Sequence, residues 1–281
     1  VRKIFVAITC GLSLLYNLLL DQEFVNYIRK FTNAEFRNVR DIVNDRELMQ
    51  KLYRDSLVSG EVSKFVLSKL REDPLKMSAE LNSLIKLLRS CECNDVDICR
   101  ILLFSSDSPS CKFCTQLISK FIVENIQEFI KNRKISCEVK SIVTIPELSP
   151  ANFDEVLQKL SDKFVREAYR HISEGYEMYT IITGGFKIEI AYITVLAFML
   201  RSKVVYCPDY RSDVIILPPL PVDLGKDIVD LYDRVEKGLE ADSLTLDKFV
   251  KLGLVSSKNG KIKLENWVKK LIEVRRWNYT S

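Results

Sequence analysis

The 281-residue sequence predicts an α/β protein built on an open, mostly parallel sheet with helices on both faces, carrying a helical insertion and a small C-terminal module. Three observations carry that expectation. Apolar runs of strand length recur at 3–9, 99–104, 135–144, 178–183, 203–207 and 213–217. Amphipathic stretches with apolar residues at three and four spacing lie between them, so strand and helix alternate. Hydrophobic residues make up 47% of the chain, enough for at least one full core at this length.

In chain order, KIFVAIT reads as a buried strand, Gly11 punctuates it, and a helix opens at Ser13. Residues 33–97 then interrupt the alternation with charged, helix-like segments ending in SAELNSLIKLLRS. They are expected to form an insertion between the first and second strands. PSCKFCTQLISKFIVENIQEFIK and SPANFDEVLQKLSDKFVREAYRHIS are helices, the second opening on Ser149 as cap and Pro150 in its first turn. The last two strand runs are too close for a crossover helix, which makes PDYRSD a hairpin turn. The prolines of ILPPLPVD end the sheet. A ligand-binding domain is therefore expected over 1–221, followed over 222–281 by a linker helix, GKDIVDLYDRVEKGLEA, and a small module. Its helix LDKFVKLGL, wing SSKNGKI and helix ENWVKKLIEVRRW suit a winged-helix-like arrangement.

The net charge of +4 says little by itself, but its distribution does. Residues 242–281 carry nine Lys or Arg against four acids, whereas the rest of the chain carries 33 against 34. The basic excess lies in the terminal module, where it is either a solvated helical face or a surface for a polyanion. Arg2 and Lys3 ahead of an apolar run imitate a signal peptide, yet the run reads as a strand and lacks a small-residue cleavage site. No apolar run reaches the length of a membrane span. A cytoplasmic protein, complete as it stands and without membrane contact, is expected. Of the eight cysteines, Cys111 and Cys114 have C-x-x-C spacing and Cys91, Cys93 and Cys99 lie nearby in sequence. The helical rhythm around CKFC and the single histidine argue against zinc and for core thiols, with a disulfide as the alternative.

The chemistry concentrates in turns that follow strands and open helices, where backbone amides and a positive helix end favour anions. In TGGFK, Gly184 and Gly185 permit a tight bend or a close backbone approach, Thr183 offers a hydroxyl and Lys187 a mobile positive charge. In CGLSLLYN, Gly11 makes the turn, Ser13 starts the helix, and Asn17 follows one turn later on the same side. In LFSSDSPS, Ser105, Ser106 and Asp107 end the second strand with groups suited to a ribose or an adenine edge. The phosphate-loop pattern G-x-x-x-x-G-K-[ST] and the dinucleotide pattern G-x-G-x-x-G are both absent, so triphosphatase and dehydrogenase readings lose their main support. Tight helix packing alone is the plainer account of Gly184–Gly185. It leaves unexplained a lysine in a helix's first turn, which is unfavourable unless an anion is near.

GLSLLYN, SAELNSL, LLFSSDSPSCKFC, TGGFK and ILPPLPV occur in an order that resembles the CRISPR-associated Rossmann-fold (CARF) proteins of type III systems, most of all the archaeal ring nucleases. The likeness spans about residues 3–221. It implies a Rossmann-like domain that binds cyclic tetra-adenylate in a cleft shared by two subunits of a homodimer and cuts it without cofactor or metal. Lys187 and Ser13 match the family's catalytic positions. Gly11, Leu12, Asn17, Ser105, Ser106, Asp107, Thr183, Gly184, Gly185 and Phe186 are the candidate binding residues beside them. The chemistry is an in-line attack of a ribose 2′-hydroxyl on its neighbouring phosphate, with Lys187 neutralising the phosphorane and Ser13 orienting the nucleophile or a phosphate oxygen. No general base is evident.

Two other readings compete with this one. REAYRH has the Arg-to-His spacing of a HEPN ribonuclease, through Arg166 and His171. It falls inside a helix of the ligand-binding domain, and His171 reads instead as a surface or partly buried structural residue. The basic C-terminal module, with Trp267 and Trp277, could present a helix to DNA as in a transcription regulator, a twofold partner supplying the second half-site.

Overall fold

A computed structural model of the chain describes all residues except 33–38, 131–133, 186, 209–212, 240–242, 259–260 and 281; at 31, 32, 39, 187, 257, 258, 261 and 277–280 only the backbone is described. The elements are β1 (Arg2–Thr9), α1 (Ser13–Leu20), α2 (Gln22–Thr32), α3 (Val39–Asn44), α4 (Arg46–Leu57), α5 (Glu61–Glu72), α6 (Pro74–Met77), α7 (Ala79–Arg89) and β2 (Val96–Ser106). There follow α8 (Pro109–Phe129), β3 (Ser136–Ile145), α9 (Phe153–Ser173), β4 (Glu177–Ile181), α10 (Lys187–Met199), β5 (Lys203–Tyr206) and β6 (Ile215–Leu217). The chain closes with α11 (Lys226–Glu236), α12 (Ser243–Lys251), β7 (Val255–Lys258), β8 (Lys261–Leu264) and α13 (Asn266–Thr280).

The main sheet has the order β3-β2-β1-β4-β5-β6, parallel throughout except for the β5–β6 pair. β1 is buried on both faces because its alternate side chains feed two cores. Ile4, Val6 and Ile8 point into one with α1, α7 and α8, while Phe5 and Ala7 point into the other with α9 and α10. β2 divides in the same way, Cys99, Ile101 and Leu103 to the first core and Leu102 and Phe104 to the second. Each large side chain so placed contributes roughly 1.5–3 kcal/mol of apolar burial.

The strand order reverses between β1 and β4. After β1 the chain goes to α1, whose Leu14, Leu15 and Leu18 pack on the first core; after β4 it goes to α10, whose Ile193, Leu196 and Ala197 pack on the second. Adjacent parallel strands that send their helices to opposite faces leave a crevice at their carboxyl ends. The amino ends are closed instead by an ion network. Glu177 accepts from Arg2 at 2.6 Å and pairs with Lys203 at 2.7 Å, and Lys203 also reaches Glu92 at 2.7 Å.

Several expectations are corrected. The helical insertion begins before residue 33, since α2 continues from α1, and β2 starts at Val96 rather than 99. α9 starts at Phe153, not at Pro150, because Asn152 gathers the preceding turn: its Oδ1 accepts from the Ser149 amide at 2.7 Å and its amide nitrogen donates to the Glu147 carbonyl at 2.9 Å. Of the expected hairpin turn PDYRSD, residues 208–213, the central 209–212 lie outside the described residues, although β5 and β6 do pair antiparallel. Among the described residues no group of three or more His, Cys, Asp or Glu side chains could hold a metal ion. Cys91 and Cys93 precede β2 and Cys111 and Cys114 follow it, and eleven strand residues at about 3.3 Å each separate the two pairs by roughly 30 Å. No described helix is long and apolar enough to cross a membrane.

Residues 226–280 form a helix pair, the β7–β8 hairpin and α13. They enclose a small core of their own around Ile228, Phe249, Leu264 and Ile272. α13 also lies along α9, with Leu271 and Val274 in the second core and Trp267 meeting Tyr192 edge to face at 6.0 Å. Four basic side chains of α13 are engaged within the chain. Lys270 holds Asp162 at 3.0 Å and Glu273 at 2.8 Å, Arg275 holds Asp223 at 2.7 Å, Lys269 holds Glu236 at 3.2 Å, and Arg276 pairs with Asp233.

His171 is not a surface residue. It continues the Leu157–Leu160–Phe164–Ala168 stripe of α9, so the helical period carries it under the sheet, where it is fully buried and stacked on Phe5 at 4.1 Å. Its Nδ1 hydrogen donates to the Glu167 carbonyl at 2.7 Å, while the buried Nε2 has no partner. Burial lowers its pKa below the ordinary histidine value. Above that ordinary value both folded and unfolded chains hold it neutral. As pH falls through it, the unfolded chain takes a proton that the folded chain refuses, and stability is lost. The drop in melting temperature between about pH 7.5 and 5 is therefore expected to be smaller in His171→Gln than in the wild type, measured by thermal denaturation across that range.

Candidate ligand site at the strand switch point

The turn after β1 and the turn after β4 touch through their backbones. A β-carbon on Gly11 would sit 2.6 Å from the Gly185 nitrogen, and one on Gly184 would sit 2.8 Å from the Gly11 nitrogen. Gly185 also has φ +109°, a conformation side-chain-bearing residues rarely adopt. The glycines are thus required by the approach of two main chains. Above them lies a cavity of about 290 Å³ lined by Cys10, Gly11, Leu12, Ser13, Tyr16, Ser106, Cys111, Thr183, Gly184, Gly185 and Glu189.

The anion expected at the Gly11 amide is supplied by the protein itself. Glu80, at the start of α7 in the insertion, is 1% exposed. Its Oε1 accepts from the Gly11 amide at 2.8 Å; its Oε2 accepts from the Ser13 hydroxyl at 2.6 Å and from the Ser78 hydroxyl at 2.8 Å. Three donors replace the water that a buried carboxylate loses. Ser13 also accepts the Ala79 amide at 3.1 Å, so its proton is committed to Glu80 while one oxygen lone pair remains. Thr183 is tied to the same helix: Ser83 donates to the Ala79 carbonyl at 2.9 Å, leaving Thr183 the donor in its 2.6 Å contact with Ser83.

Of the residues singled out in the sequence, Gly11, Leu12, Ser13, Ser106, Thr183, Gly184 and Gly185 line the cavity. Three are placed elsewhere. Asn17 turns away to donate to the carbonyls of Lys76 and Met77 at 2.9 and 3.1 Å, locking α1 to the insertion. Ser105 is buried and donates to the Ser106 carbonyl at 2.9 Å. Asp107 accepts the Glu147 amide at 2.9 Å and faces a separate cavity of about 680 Å³ against α4, beside Arg46, Lys51 and Arg54. Phe186 lies outside the described residues, and of Lys187, the first residue of α10, only the backbone is described.

Sequence reasoning passed over Glu80, Tyr16, Cys111 and Glu189. A serine cap followed by an acid in SAELNSL was the only sign of Glu80, and no local rule pairs it with a glycine 69 residues away. Two thiols, Cys10 and Cys111, also line the cavity. Burial pushes Cys10 well above the ordinary cysteine value and raises Cys111, which disfavours the thiolate. Glu189 is pushed up to about 7, chiefly by burial and secondarily by the nearby Glu147 carboxylate.

A family model described as "CRISPR-associated protein (Cas_APE2256)" matches residues 75–220, just over half of the chain. The chain belongs to the Cas_APE2256 family of CRISPR-associated proteins. The segment shared with Cas_APE2256 takes in Glu80, Ser106, Cys111 and the Thr183–Glu189 turn, while the Gly11–Ser13 turn lies ahead of it. Among solved structures, this Cas_APE2256 protein is similar to Can2 from Sulfobacillus thermosulfidooxidans in complex with cyclic tetra-adenylate (cA4), at 12% identity and a TM-score of 0.27. The similarity covers 71% of this chain and 64% of Can2, so the chain spans a little under two thirds of that protein's length.

Glu80→Gln places an amide hydrogen among three donors and is expected to cost about 1–3 kcal/mol in urea denaturation. Gly184→Ala should cost a similar amount, about 1–3 kcal/mol, because its new methyl would lie 2.0 Å from Glu80 Oε1 and 2.8 Å from the Gly11 nitrogen. Combining Gly184→Ala with Glu80→Ala should cost less than the sum of the two single changes, since both act on one carboxylate.

Proposed function

We propose that this Cas_APE2256 protein acts in the cytoplasm as a metal-independent ring nuclease, binding cyclic tetra-adenylate and cutting it to linear products with 2′,3′-cyclic phosphate ends to switch off type III CRISPR signalling. The observation that carries the reading is the contact of two glycine turns, one bearing Ser13 and the other leading into Lys187, at the switch point of the sheet. Family membership supports the biological setting. Residues 1–221 form the ligand-binding domain in this reading, and 222–281 an appended module.

A cavity of about 290 Å³ is at the small end of ligand sites, which run from roughly 300 to 1,000 Å³, and a ring of four nucleotides needs more. A second copy would complete it. Exposed apolar side chains of α1 and α10, the two helices that open at the cavity, supply a surface on which two copies can meet: Tyr16, Leu20, Ile188 and Val195. A homodimer then places two copies of the site around one ring.

The hydrogen bond to Glu80 narrows the role of Ser13. With its proton held and one lone pair open, Ser13 accepts from the ribose 2′-hydroxyl and aims that oxygen at its own phosphate. Lys187, opening α10, offsets the charge that builds on the phosphorane, aided by the helix amino end. The O2′–P bond forms as the P–O5′ bond breaks, and no water enters the product.

Incubation with labelled cyclic tetra-adenylate in EDTA tests the reading. The wild type should yield linear 2′,3′-cyclic phosphate products and bind one ring per two chains. Ser13→Ala and Lys187→Ala should each lose about 100-fold or more in turnover while retaining binding. A wild type that binds the ring tightly and releases no product would instead be a sensor.

A further inference from the structure

From the cavity geometry we infer that Glu189 is the general base of the ring cleavage, taking the proton from the attacking ribose 2′-hydroxyl. The inference rests on the ring-nuclease reading above and supplies the group that reading lacks. Glu189 lines the cavity and Glu80 lies behind it, and their surroundings differ. Glu80 lies behind the glycine turns with both oxygens occupied, Oε1 by the Gly11 amide and Oε2 by the hydroxyls of Ser13 and Ser78, so it orients Ser13 and has no acceptor turned to a ligand. Glu189 lines the cavity from the first turn of α10, and its Oε1 is buried without a hydrogen-bond partner. A buried acceptor left open in a native site asks for a donor that is not part of the chain. A ribose 2′-hydroxyl is such a donor: its single hydrogen rests on the Ser13 oxygen as the ring binds and turns to Glu189 for the transfer, both groups lining the one cavity.

The charge state suits the task. Burial and Glu147 bring the Glu189 carboxyl to about 7, where a base is both available and strong enough to take a proton. The groups facing it are Glu147 from the loop before α9, the Cys111 thiol of α8, Tyr16 and Ser13 of α1, and Glu80 behind the turns. Glu147 is itself paired with Arg46 at 3.0 Å. In the step, the 2′-hydroxyl proton passes to Glu189, O2′ bonds to phosphorus, the P–O5′ bond breaks, and the departing O5′ takes a proton from water. Glu189 then returns its proton to solvent, and the site is restored.

The test measures binding and turnover of cyclic tetra-adenylate from about pH 5 to 9 for the wild type, Glu189→Gln and Glu147→Gln, with melting curves to show that each is folded. Wild-type kcat/KM is expected to rise with pH through a midpoint near 7. Glu189→Gln should lose roughly 100-fold or more in kcat and lose that limb, while binding the anionic ring as tightly as the wild type or more tightly. Glu147→Gln should keep turnover but move the limb to lower pH, because a negative neighbour has been removed. If Glu189→Gln keeps both the rate and the limb, Glu189 is not the base although ring cleavage stands. If the wild type binds the ring and makes no product, the cleavage reading fails and the base falls with it.

Discussion

The buried Glu80 carboxylate is the tie on which the site depends. One side chain from the insertion is bonded to the turn after β1 through the Gly11 amide and the Ser13 hydroxyl, and its Oε1 lies where a β-carbon on Gly184 would collide with it. Three separate pieces of chain are thereby held at one point. A buried charge is tolerated only where donors surround it, and here two of the three donors, Gly11 and Ser13, also line the cavity. The insertion is thus the wall that sets the Ser13 hydroxyl, with Asn17 and Thr183 adding further bonds to the same segment.

This arrangement changes what the glycine turns can do. A helix start with free amides invites an anion, but the Gly11 amide already has one from within the chain. What remains open toward the cavity is a serine oxygen with one lone pair, the Glu189 carboxyl and the start of α10. Such a site favours holding a hydroxyl and a phosphate in line over gripping phosphate tightly. The proposed cleavage by positioning rests on that set of groups, one proton acceptor and one charge to offset.

In the C-terminal module, part of the basic excess is paired within the chain. Its excess of basic residues reads in sequence as either a solvated face or a surface for a polyanion, and Lys269, Lys270, Arg275 and Arg276 each meet an acid of this chain. Net charge is blind to pairing, because acids far away in sequence, such as Asp162 and Asp223, come to face α13 only when it lies along α9. The same contact carries Trp267 against Tyr192 of α10, which links the module to the helix that opens at Lys187.

The sequence by itself determined the sheet and its helices, since apolar alternation in runs such as KIFVAIT and the 3.6-residue period of α8 and α9 are local properties of the chain. It also located both glycine turns and the residues between them, because glycines at the ends of strands mark bends whatever surrounds them. Only the tertiary structure decided which groups meet. Glu80 lies 69 residues from Gly11, the burial that raises Glu189 comes from elements far apart in sequence, and Asn17 and Asp107, which looked equally suited to a ligand, were drawn to backbone partners nearby. Hydrogen bonds and desolvation act over a few ångströms in space, so a pattern read along the chain could name the candidates but could not say which of them would be left open to a ligand.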